Sequence, residues 1–363
     1  MNNQNANKSF ENTTINHPYL AKAIKQLDLA IKQVESGSIV FMFGPTGVGK
    51  STLAKHLLKK LDKEYRVAGK HGNSDIPAAL IEAPYPDAHQ FSWKDFYRRA
   101  LEILHEPAVQ NKLDEPRCSV FNHKIRVNTQ APGHALRLAF ENALEYRNVK
   151  VVIIDEAQHI AKGTTTSGLL EQLDYIKSLA NLTKTVIVLV GTYELLSFRN
   201  LSGQLSRRSI DVHFPRYRIE IPEEYMIFGG AVRSFASKLP IPFDFELTNI
   251  IEDLYVGSLG CVGILKGWLI KAIRRAIEEG DGTLRRKDLS ECMYSHDQMC
   301  KMIDEVLEGE LLLTPPKDSI NILRARLGLD GMPTVKHQPV PQAKRKDAPF
   351  QRKPVRDSTG MPS

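Results

Sequence analysis

Residues 44–51 have the sequence Gly-Pro-Thr-Gly-Val-Gly-Lys-Ser, which matches the pattern G-x-x-x-x-G-K-[ST] at every position. The apolar, β-branched run Ser38–Phe43 before it predicts a buried strand, and Thr52–Leu61 after it predicts a helix. Glycines in such a loop let backbone N–H groups turn inward on a polyphosphate, and the N-terminal end of the following helix favours negative charge. The segment therefore predicts a nucleotide-binding phosphate loop rather than a chance glycine-rich turn.

Two residues of this loop have specific expected roles. Lys50 would pair with the β- and γ-phosphates, and the hydroxyl of Ser51 would bind Mg²⁺. The predicted cofactors are ATP and Mg²⁺. The predicted nucleotide-binding residues are Gly44, Pro45, Thr46, Gly47, Val48, Gly49, Lys50, Ser51 and Thr52.

The second half of the predicted site is the run Val151–Ile154 followed by Asp155 and Glu156. Four consecutive apolar β-formers suit a strand that is covered on both faces, as in a parallel α/β sheet. Asp155 would lie at the carboxyl end of this strand, where such sheets bind ligands, and would share the Mg²⁺ with Ser51. Glu156 would then polarise the attacking water. The two segments together predict a Mg²⁺-dependent ATPase that converts ATP and water to ADP and phosphate.

The composition of the 363 residues is 42% hydrophobic and 25% charged, which suits one large domain with appendages or two domains. No run approaches the roughly 18 apolar residues of a membrane span. The Asn-rich N-terminus lacks the charged-then-apolar pattern of a signal peptide. The four cysteines are scattered without metal-ligand spacing, which favours reduced thiols. We therefore expect a cytoplasmic protein that does not act at membranes.

Most of the net charge of +7 belongs to the C-terminal stretch. Residues 331–363 contain seven Lys or Arg and two Asp, so they carry 7 − 2 = +5. A basic tail of this kind is typical of an arm that binds nucleic acid or an acidic partner, and equally of a solubilising appendage. Its Pro-rich sequence predicts an extended, disordered tail.

Hydrophobic periodicity divides the rest of the chain. Further buried strands are predicted near Ala79–Ala83, Thr185–Val190 and Ile210–Phe214, and residues 106–131 lack periodicity and predict an exposed insertion. From Pro222 onwards the pattern is helical, with helices near Glu223–Leu239, Phe245–Val256 and Val262–Glu279. The predicted regions are a disordered N-terminus (1–16), an α/β nucleotide-binding domain (17–220), a small helical lid (221–280), a helical partner-binding region (281–330) and the tail (331–363).

Three segments each have two interpretations. His17–Tyr19 would lie near the adenine ring, or would only start a helix with Pro18. The hydroxyl-rich loop Lys162–Gly168 would hydrogen-bond phosphates of a nucleic acid, or Ser167 would cap the helix that follows. The pair at 207 and 208 would be a solvated surface pair or an arginine finger that reaches a neighbouring subunit's γ-phosphate.

The order of these segments resembles that of AAA+ ATPases: strand, phosphate loop, insertion, Asp-Glu strand, Gly-Thr strand end, Arg-Arg and helical lid. Within it, the stretches Ile154–His159, Val190–Thr192 and Gly203–Arg208 resemble transposition regulators of the Tn7 type, the TnsC or TniB family, some of which serve CRISPR-associated transposons. The resemblance covers about residues 18–280. It implies an AAA+ P-loop NTPase fold with a parallel sheet core, a small α-helical lid and a C-terminal extension that ends in the basic disordered tail.

The resemblance also implies a function and further residue roles. Such a bacterial protein binds duplex DNA in an ATP-dependent manner, assembles with itself into a helical filament or ring, and links a target-selection protein to the transposase. Thr192 would be the sensor at a strand end, and Arg207 or Arg208 the finger. The chain departs from the family at Gly260–Gly263, where many AAA+ proteins carry a sensor arginine. Either Lys266 replaces that arginine or the sensor is missing.

Sequence-independent contacts with the DNA backbone require cations and hydroxyls along a groove. The expected DNA-binding residues are Lys124, Arg126, Lys162, Thr164, Thr165 and Thr166. Two alternatives to a transposition regulator stay open. One is another AAA+ ATPase, such as a replication initiator or helicase loader. The other is a signalling or secretion ATPase that does not bind DNA.

Overall fold

The computed structural model describes residues 10–69, 72, 74–86, 90–107, 109, 117–121, 124–128, 132–200, 209–314 and 318–329. The chain forms two compact units, Met1–Leu313 and Thr314–Ser363. The described strands are β1 (Ile39–Phe43), β2 (Ala78–Glu82), β3 (Arg117–Phe121), β4 (Lys124–Asn128), β5 (Val151–Asp155), β6 (Val186–Gly191) and β7 (Ser209–His213).

The described α-helices of the first unit alternate with these strands and then follow them. They are α1 (Pro18–Gln33), α2 (Lys50–Val67), α3 (Trp93–Ile103), α4 (Pro132–Tyr146), α5 (Thr166–Thr183), α6 (Leu196–Asn200), α7 (Pro222–Ala236), α8 (Ile251–Ser258), α9 (Val262–Glu278), α10 (Arg286–Cys292) and α11 (His296–Leu313). The second unit contains α12 (Ser319–Arg326).

Five strands form a parallel sheet in the order β2-β5-β6-β1-β7. Every residue of the three inner strands β5, β6 and β1 is buried, as their uninterrupted apolar sequences predict. The edge strand β7 buries only Val212 and has exposed Asp211 in its centre. The predicted strands and the parallel α/β core are therefore confirmed, with boundaries that differ by one or two residues.

The two faces of the sheet bury alternate residues of each strand. Ile39, Phe41 and Phe43 belong to the core that the sheet shares with α3, α4 and α5, whereas Val40 and Met42 belong to the core shared with α1 and α2. Full burial of one such side chain contributes roughly 1.5–3 kcal/mol. The phosphate loop therefore follows a strand that is held firmly from both sides.

The three helices predicted for the lid are α7, α8 and α9, and they share a hydrophobic core that includes Phe228, Leu265 and Trp268. The second of these helices was predicted over Phe245–Val256 and begins later, at Ile251. The cause is a tertiary pairing, because Phe243 forms a β-bridge with Leu284 and holds the chain before α8 extended. No single helix among the described residues is long and apolar enough to cross a membrane. The pair α8 and α9 meets that criterion only together, with a bend of 107° between them.

The prediction of a disordered N-terminus is wrong for residues 10–16. Phe10 and Ile15 are buried in the lid core, and the ring of Phe10 lies 6.1 Å from that of Phe235. Glu11 forms an ion pair with Arg274 at 2.6 Å. The stretch is polar in overall composition, which led to the prediction of disorder. Its two apolar side chains nevertheless pack in the lid core and hold the stretch against the lid. Residues 1–9 lie outside the described residues.

The predicted insertion at residues 106–131 contains structure that its sequence did not suggest. β3 and β4 pair as an antiparallel hairpin in which Phe121 is opposite Lys124. Five-residue strands are too short for their alternation to stand out from an aperiodic segment. The predicted basic tail, residues 331–363, lies outside the described residues.

Candidate nucleotide-binding site

The phosphate loop joins the end of β1 to the start of α2, and two of its glycines occupy positions that exclude a side chain. Gly49 has φ 110° and Gly47 has φ 74°, both in the left-handed region. A Cβ added to Gly47 would also lie 2.4 Å from Cγ1 of Ile264. The loop backbone is thus held in a turn that only glycine tolerates at these two positions.

Lys50 is the first residue of α2, and its side chain lies inside the loop. It is 6% exposed, and its Nζ donates hydrogen bonds to the carbonyls of Gly44 (2.9 Å) and Pro45 (2.8 Å). Burial lowers the pKa of Lys50 to about 8, and the negative charges of Glu156 and Asp155 partly oppose this shift. A phosphate oxygen would supply the full negative charge that this ammonium lacks.

Asp155 ends β5 and is buried beside the phosphate loop. Burial raises the pKa of this carboxyl, while hydrogen bonds from the Ser51 hydroxyl and from the Glu156 N–H (3.0 Å) counteract the rise. A hydroxyl and a carboxylate are oxygen ligands of the kind that Mg²⁺ prefers. The described residues hold no group of three or more His, Cys, Asp or Glu side chains that could bind a metal ion. The donor set fits a Mg²⁺ ion whose remaining ligands are phosphate oxygens and water.

The side chain of Gln158 forms hydrogen bonds with both Glu156 and Thr192, the predicted general base and the predicted sensor. Its buried amide donates from Nε2 to Oε2 of Glu156 (2.5 Å) and accepts at Oε1 from the backbone N–H of Thr192 (3.2 Å). The Oγ1 of Thr192 is buried without a hydrogen-bond partner among the described residues. Sequence reasoning assigned no role to Gln158. The only signal was an amide two residues after the Asp-Glu pair, within the stretch that resembles the regulators.

The lid lies directly on the phosphate loop. The N–H of Ile264, in the first turn of α9, donates to the carbonyl of Gly47 at 3.1 Å. A Cβ added to Gly263 would lie 2.3 Å from the same carbonyl oxygen, so α9 and the loop are in close contact. A conformational change of the phosphate loop can therefore move the lid directly, through the contact between Gly47 and α9.

A pocket lies between the loop, the lid and the N-terminal stretch. Its lining residues are Thr13, Thr14, Ile15, His17, Leu20, Val48, Gly49, Thr52, Phe235, Val262, Gly263 and Lys266. His17 precedes α1, which starts with Pro18, and its Nδ1 lies 2.7 Å from the hydroxyl of Tyr217. The interpretation of a Pro-started helix is thus confirmed, and His17 also lies beside the loop. Lys266 donates to the backbone carbonyl of Glu11 at 2.6 Å.

The buried His17 and the half-buried His213 near the loop predict a pH-dependent stability. Burial lowers the pKa of His17 and of His213 to about 4, and the positive charge of Arg218 adds to the shift at His213. Because the unfolded chain binds these protons near pH 6.5, its population rises as the pH falls from 6.5 towards 4. We expect the free energy of unfolding to fall by about 2 kcal/mol per histidine between pH 7 and pH 5.

Urea unfolding at the two pH values measures this loss. The variants His17→Asn and His213→Asn should each lose less stability on acidification than the wild type. The exposed His56 on α2 provides the control, since His56→Asn should leave the pH dependence unchanged. Equal wild-type stability at pH 7 and pH 5 would contradict the lowered pKa values of these two imidazoles.

The remaining predicted site residues are described only in part. Arg207 and Arg208 lie outside the described residues, and Lys124 and Arg126 are on β4, where only the backbone is described. Lys162 lies over the ring of Tyr85, with Nζ 5.2 Å from the centroid.

The hydroxyl-rich loop caps a helix, although the capping residue differs from the predicted one. Thr165, not Ser167, accepts from the N–H of Gly168 at 3.3 Å, because α5 already begins at the exposed Thr166. Thr164 donates its hydroxyl to the carbonyl of Ala161. The prediction that Ser167 caps this helix is therefore wrong, because Thr165 does so. A nucleic-acid role of the loop stays a prediction.

Comparison with known proteins identifies the fold. Residues 33–198 match the family model described as an AAA domain (AAA_22). Similar solved structures include the ORC1 protein of Aeropyrum pernix in complex with DNA, at 15% identity over 88% of this chain and 74% of that chain (TM-score 0.52). The ORC2 protein of Aeropyrum pernix (ADPNP-ADP complexes) is similar at 16% identity over 78% and 70% (TM-score 0.51). Cdc6p from Pyrobaculum aerophilum is similar at 12% identity over 78% and 69% (TM-score 0.50).

No curated protein sequence matches the chain. At these identities the structural likeness establishes the fold alone. With the family match over residues 33–198 and the sheet described above, the chain has the AAA+ P-loop NTPase fold.

Proposed function

We propose that this chain is a Mg²⁺-dependent ATPase that assembles on duplex DNA when it binds ATP and that it regulates transposition. The observation that carries the ATPase part is the convergence of Lys50, Ser51, Asp155 and the Glu156–Gln158–Thr192 chain at the carboxyl end of the parallel sheet. Open α/β sheets bind their ligands at this end.

Each residue of this cluster then has a task. Lys50 exchanges its two carbonyl partners for β- and γ-phosphate oxygens, and Ser51 and Asp155 hold the Mg²⁺. When bound, the ion neutralises negative charge on the phosphate oxygens. Glu156 orients and activates the attacking water, with its carboxylate positioned by Gln158. The buried hydroxyl of Thr192 supplies a donor towards the terminal phosphate.

The pocket beside Gly49 is the proposed site of the nucleobase. It is bounded by apolar side chains, among them Ile15, Leu20 and Val262, with a few polar groups at its edge. Such a lining is typical of pockets that bury a planar ring. The pocket brings together the N-terminal stretch and the lid, so a bound base would stabilise their contact.

DNA binding rests on charge and on the resemblance. The tail at residues 331–363 carries +5 and suits a polyanion. We assign backbone contacts to Lys124, Arg126, Lys162 and Thr164–Thr166, and the arginine finger between subunits to Arg207 or Arg208. The Aeropyrum pernix ORC1 protein, which shares the fold, has been solved in complex with DNA.

Two observations bear on the choice between a transposition regulator and a replication initiator. The structural likeness to ORC and Cdc6 proteins favours an initiator-like or loader-like protein as the second candidate. The stretches at 154–159, 190–192 and 203–208 resemble the transposition regulators and support that interpretation, in which the chain would link a target-selection protein to the transposase.

Fluorescence anisotropy of labelled duplex DNA tests the proposal. We expect binding with a non-hydrolysable ATP analogue and Mg²⁺, little binding with ADP, and no preference among unrelated sequences. The affinity should fall steeply with salt, because phosphate contacts release counterions. Tight binding to one sequence without nucleotide dependence would favour the initiator. Nucleotide binding that duplex DNA leaves unaffected would move the chain to the class of ATPases that do not bind DNA.

A further inference from the structure

Helix α11 faces the phosphate loop and Thr192 across a cavity. Between them lies a cavity of about 320 Å³, whose walls include Pro45, Thr46 and Thr192 on one side and Glu305, Glu308 and Gly309 of α11 on the other. The lining thus brings carboxylates close to the place where the terminal phosphate of ATP would lie. Because like charges repel, ATP binding with α11 in this position is opposed.

Arg216 lies in the short segment that passes between the phosphate loop and the lid. A Cβ added to Gly44 would lie 2.1 Å from the carbonyl oxygen of Phe214, and one added to Gly260 would lie 2.2 Å from that of Tyr217. Arg216 is therefore held between the first residue of the loop and the turn that precedes α9. It is 7% exposed, so its charge must be satisfied inside the protein.

Glu310 of α11 supplies most of that compensation. Its two carboxylate oxygens accept from Nε (3.1 Å) and Nη2 (3.2 Å) of Arg216, in a bidentate pair. Nη1 of Arg216 donates to the hydroxyl of Tyr255 on α8 at 3.1 Å. One buried cation thus joins α11, the lid and the segment beside the loop.

Arg216 and Lys50 also act on the same thiol. Cys261, which lines the cavity, is fully buried, and burial raises its pKa to about 12, while the charges of Arg216 and Lys50 both lower it. Cys261 directly follows Gly260, whose carbonyl accepts from the N–H of Tyr217 at 3.0 Å, so the segment that contains Arg216 contacts the turn that forms this part of the cavity wall. Lys266, the predicted lid cation, lines the pocket beside Gly49 instead and donates to the carbonyl of Glu11.

We propose that Arg216 senses the terminal phosphate of ATP and that Glu310 competes with this phosphate for it, so that α11 stays on the loop with ADP and is released with ATP. The inference rests on the proposed ATP site. Guanidinium groups bind phosphate and carboxylate with the same bidentate geometry, which makes the exchange chemically direct. A ligand shifts such an equilibrium only through its different affinity for the two states, and the terminal phosphate is what distinguishes ATP from ADP.

Titration calorimetry with ADP and with a non-hydrolysable ATP analogue, both with Mg²⁺, tests this exchange. For Arg216→Ala we expect the affinity for the analogue to fall by roughly tenfold and that for ADP to change by less than about twofold. For Glu310→Gln we expect the affinity for the analogue to rise by roughly threefold, with ADP again unchanged. The double variant should have the same affinity for the analogue as Arg216→Ala, because Glu310 cannot compete for an arginine that is absent.

Arg218 provides a matched control two residues along the same segment. It pairs with Glu224 of α7 at 3.0 Å, and Arg218→Ala should leave the ratio of the two affinities unchanged. Equal losses for ADP and for the analogue in Arg216→Ala would show that the pair only stabilises the fold and would overturn the proposal. A lower affinity for the analogue in Glu310→Gln would overturn it as well.

Hydrogen exchange of α11 gives a second readout that needs no arginine variant. In the wild type, the amides of residues 296–313 should exchange faster with the analogue than with ADP. In Glu310→Gln they should exchange at the same rate with both nucleotides, close to the fast rate of the wild type with the analogue. Equal wild-type exchange with the two nucleotides would overturn the release of α11. If the wild type binds neither nucleotide, the proposed ATP site is wrong. This outcome differs from a failure of the Arg216–Glu310 exchange, in which both nucleotides bind but α11 exchanges equally with each.

Discussion

Lys50→Ala should abolish nucleotide binding. We expect the affinity for ATP to fall by about 100-fold or more, since the two charge-assisted bonds to phosphate oxygens contribute roughly 1.5–3 kcal/mol each. The side chain is buried within the loop and bonded to the carbonyls of Gly44 and Pro45, so no neighbouring residue can take its place without rearrangement. ATP-dependent binding to duplex DNA should be lost in the same variant. Titration calorimetry and anisotropy measure the two losses.

The control for this variant is Lys55→Ala. Lys55 is on the same helix but exposed, so its removal changes the charge of α2 without touching the loop. It should bind ATP and DNA as the wild type does. ATP-dependent DNA binding that survived in Lys50→Ala would contradict the coupling of assembly to this site.

Glu156→Gln should separate ATP binding from hydrolysis. We expect the rate of turnover to fall by roughly 100-fold or more, because a positioned general base contributes about 10²–10⁴-fold. The affinity for ATP should change little, since the amide has the size of the carboxylate and its oxygen can still accept the hydrogen bond from Gln158. The ATP-bound assembly on DNA should therefore accumulate. Phosphate release and sedimentation with DNA measure the two effects.

Glu82→Gln is the matched control for the second prediction. Glu82 ends the neighbouring strand β2, opposite Asp155 in the register, but its side chain is exposed. Its turnover should equal that of the wild type. Wild-type turnover in Glu156→Gln would refute the assigned role of Glu156.

The part of the site that could be predicted from the sequence depends on contiguous residues. The loop 44–51 matches its pattern completely, and Val151–Asp155 is a buried strand because every residue in it is apolar up to the acid. Ser51 and Asp155 are then expected to lie close together, because parallel strands present their carboxyl ends on one edge of the sheet. Local patterns of this kind determine where the nucleotide site lies.

The contacts that regulate the site could not be predicted in this way. Arg216 and Glu310 are 94 positions apart, and their pairing depends on how α11 returns to the loop. Phe10 is a single aromatic residue in a polar stretch, and only the lid core explains its burial. Gln158 acts through an amide that meets Glu156 and Thr192 because β5 and β6 are adjacent. In each case the partner is supplied by tertiary structure, for which one sequence contains no local signal.

Electron microscopy of the purified protein with duplex DNA tests whether ATP causes this chain to assemble on DNA. With a non-hydrolysable ATP analogue and Mg²⁺, we expect regular filaments or rings on the DNA. With ADP we expect isolated particles and bare DNA. Isolated particles under both conditions, with nucleotide bound and DNA ignored, would refute ATP-dependent assembly.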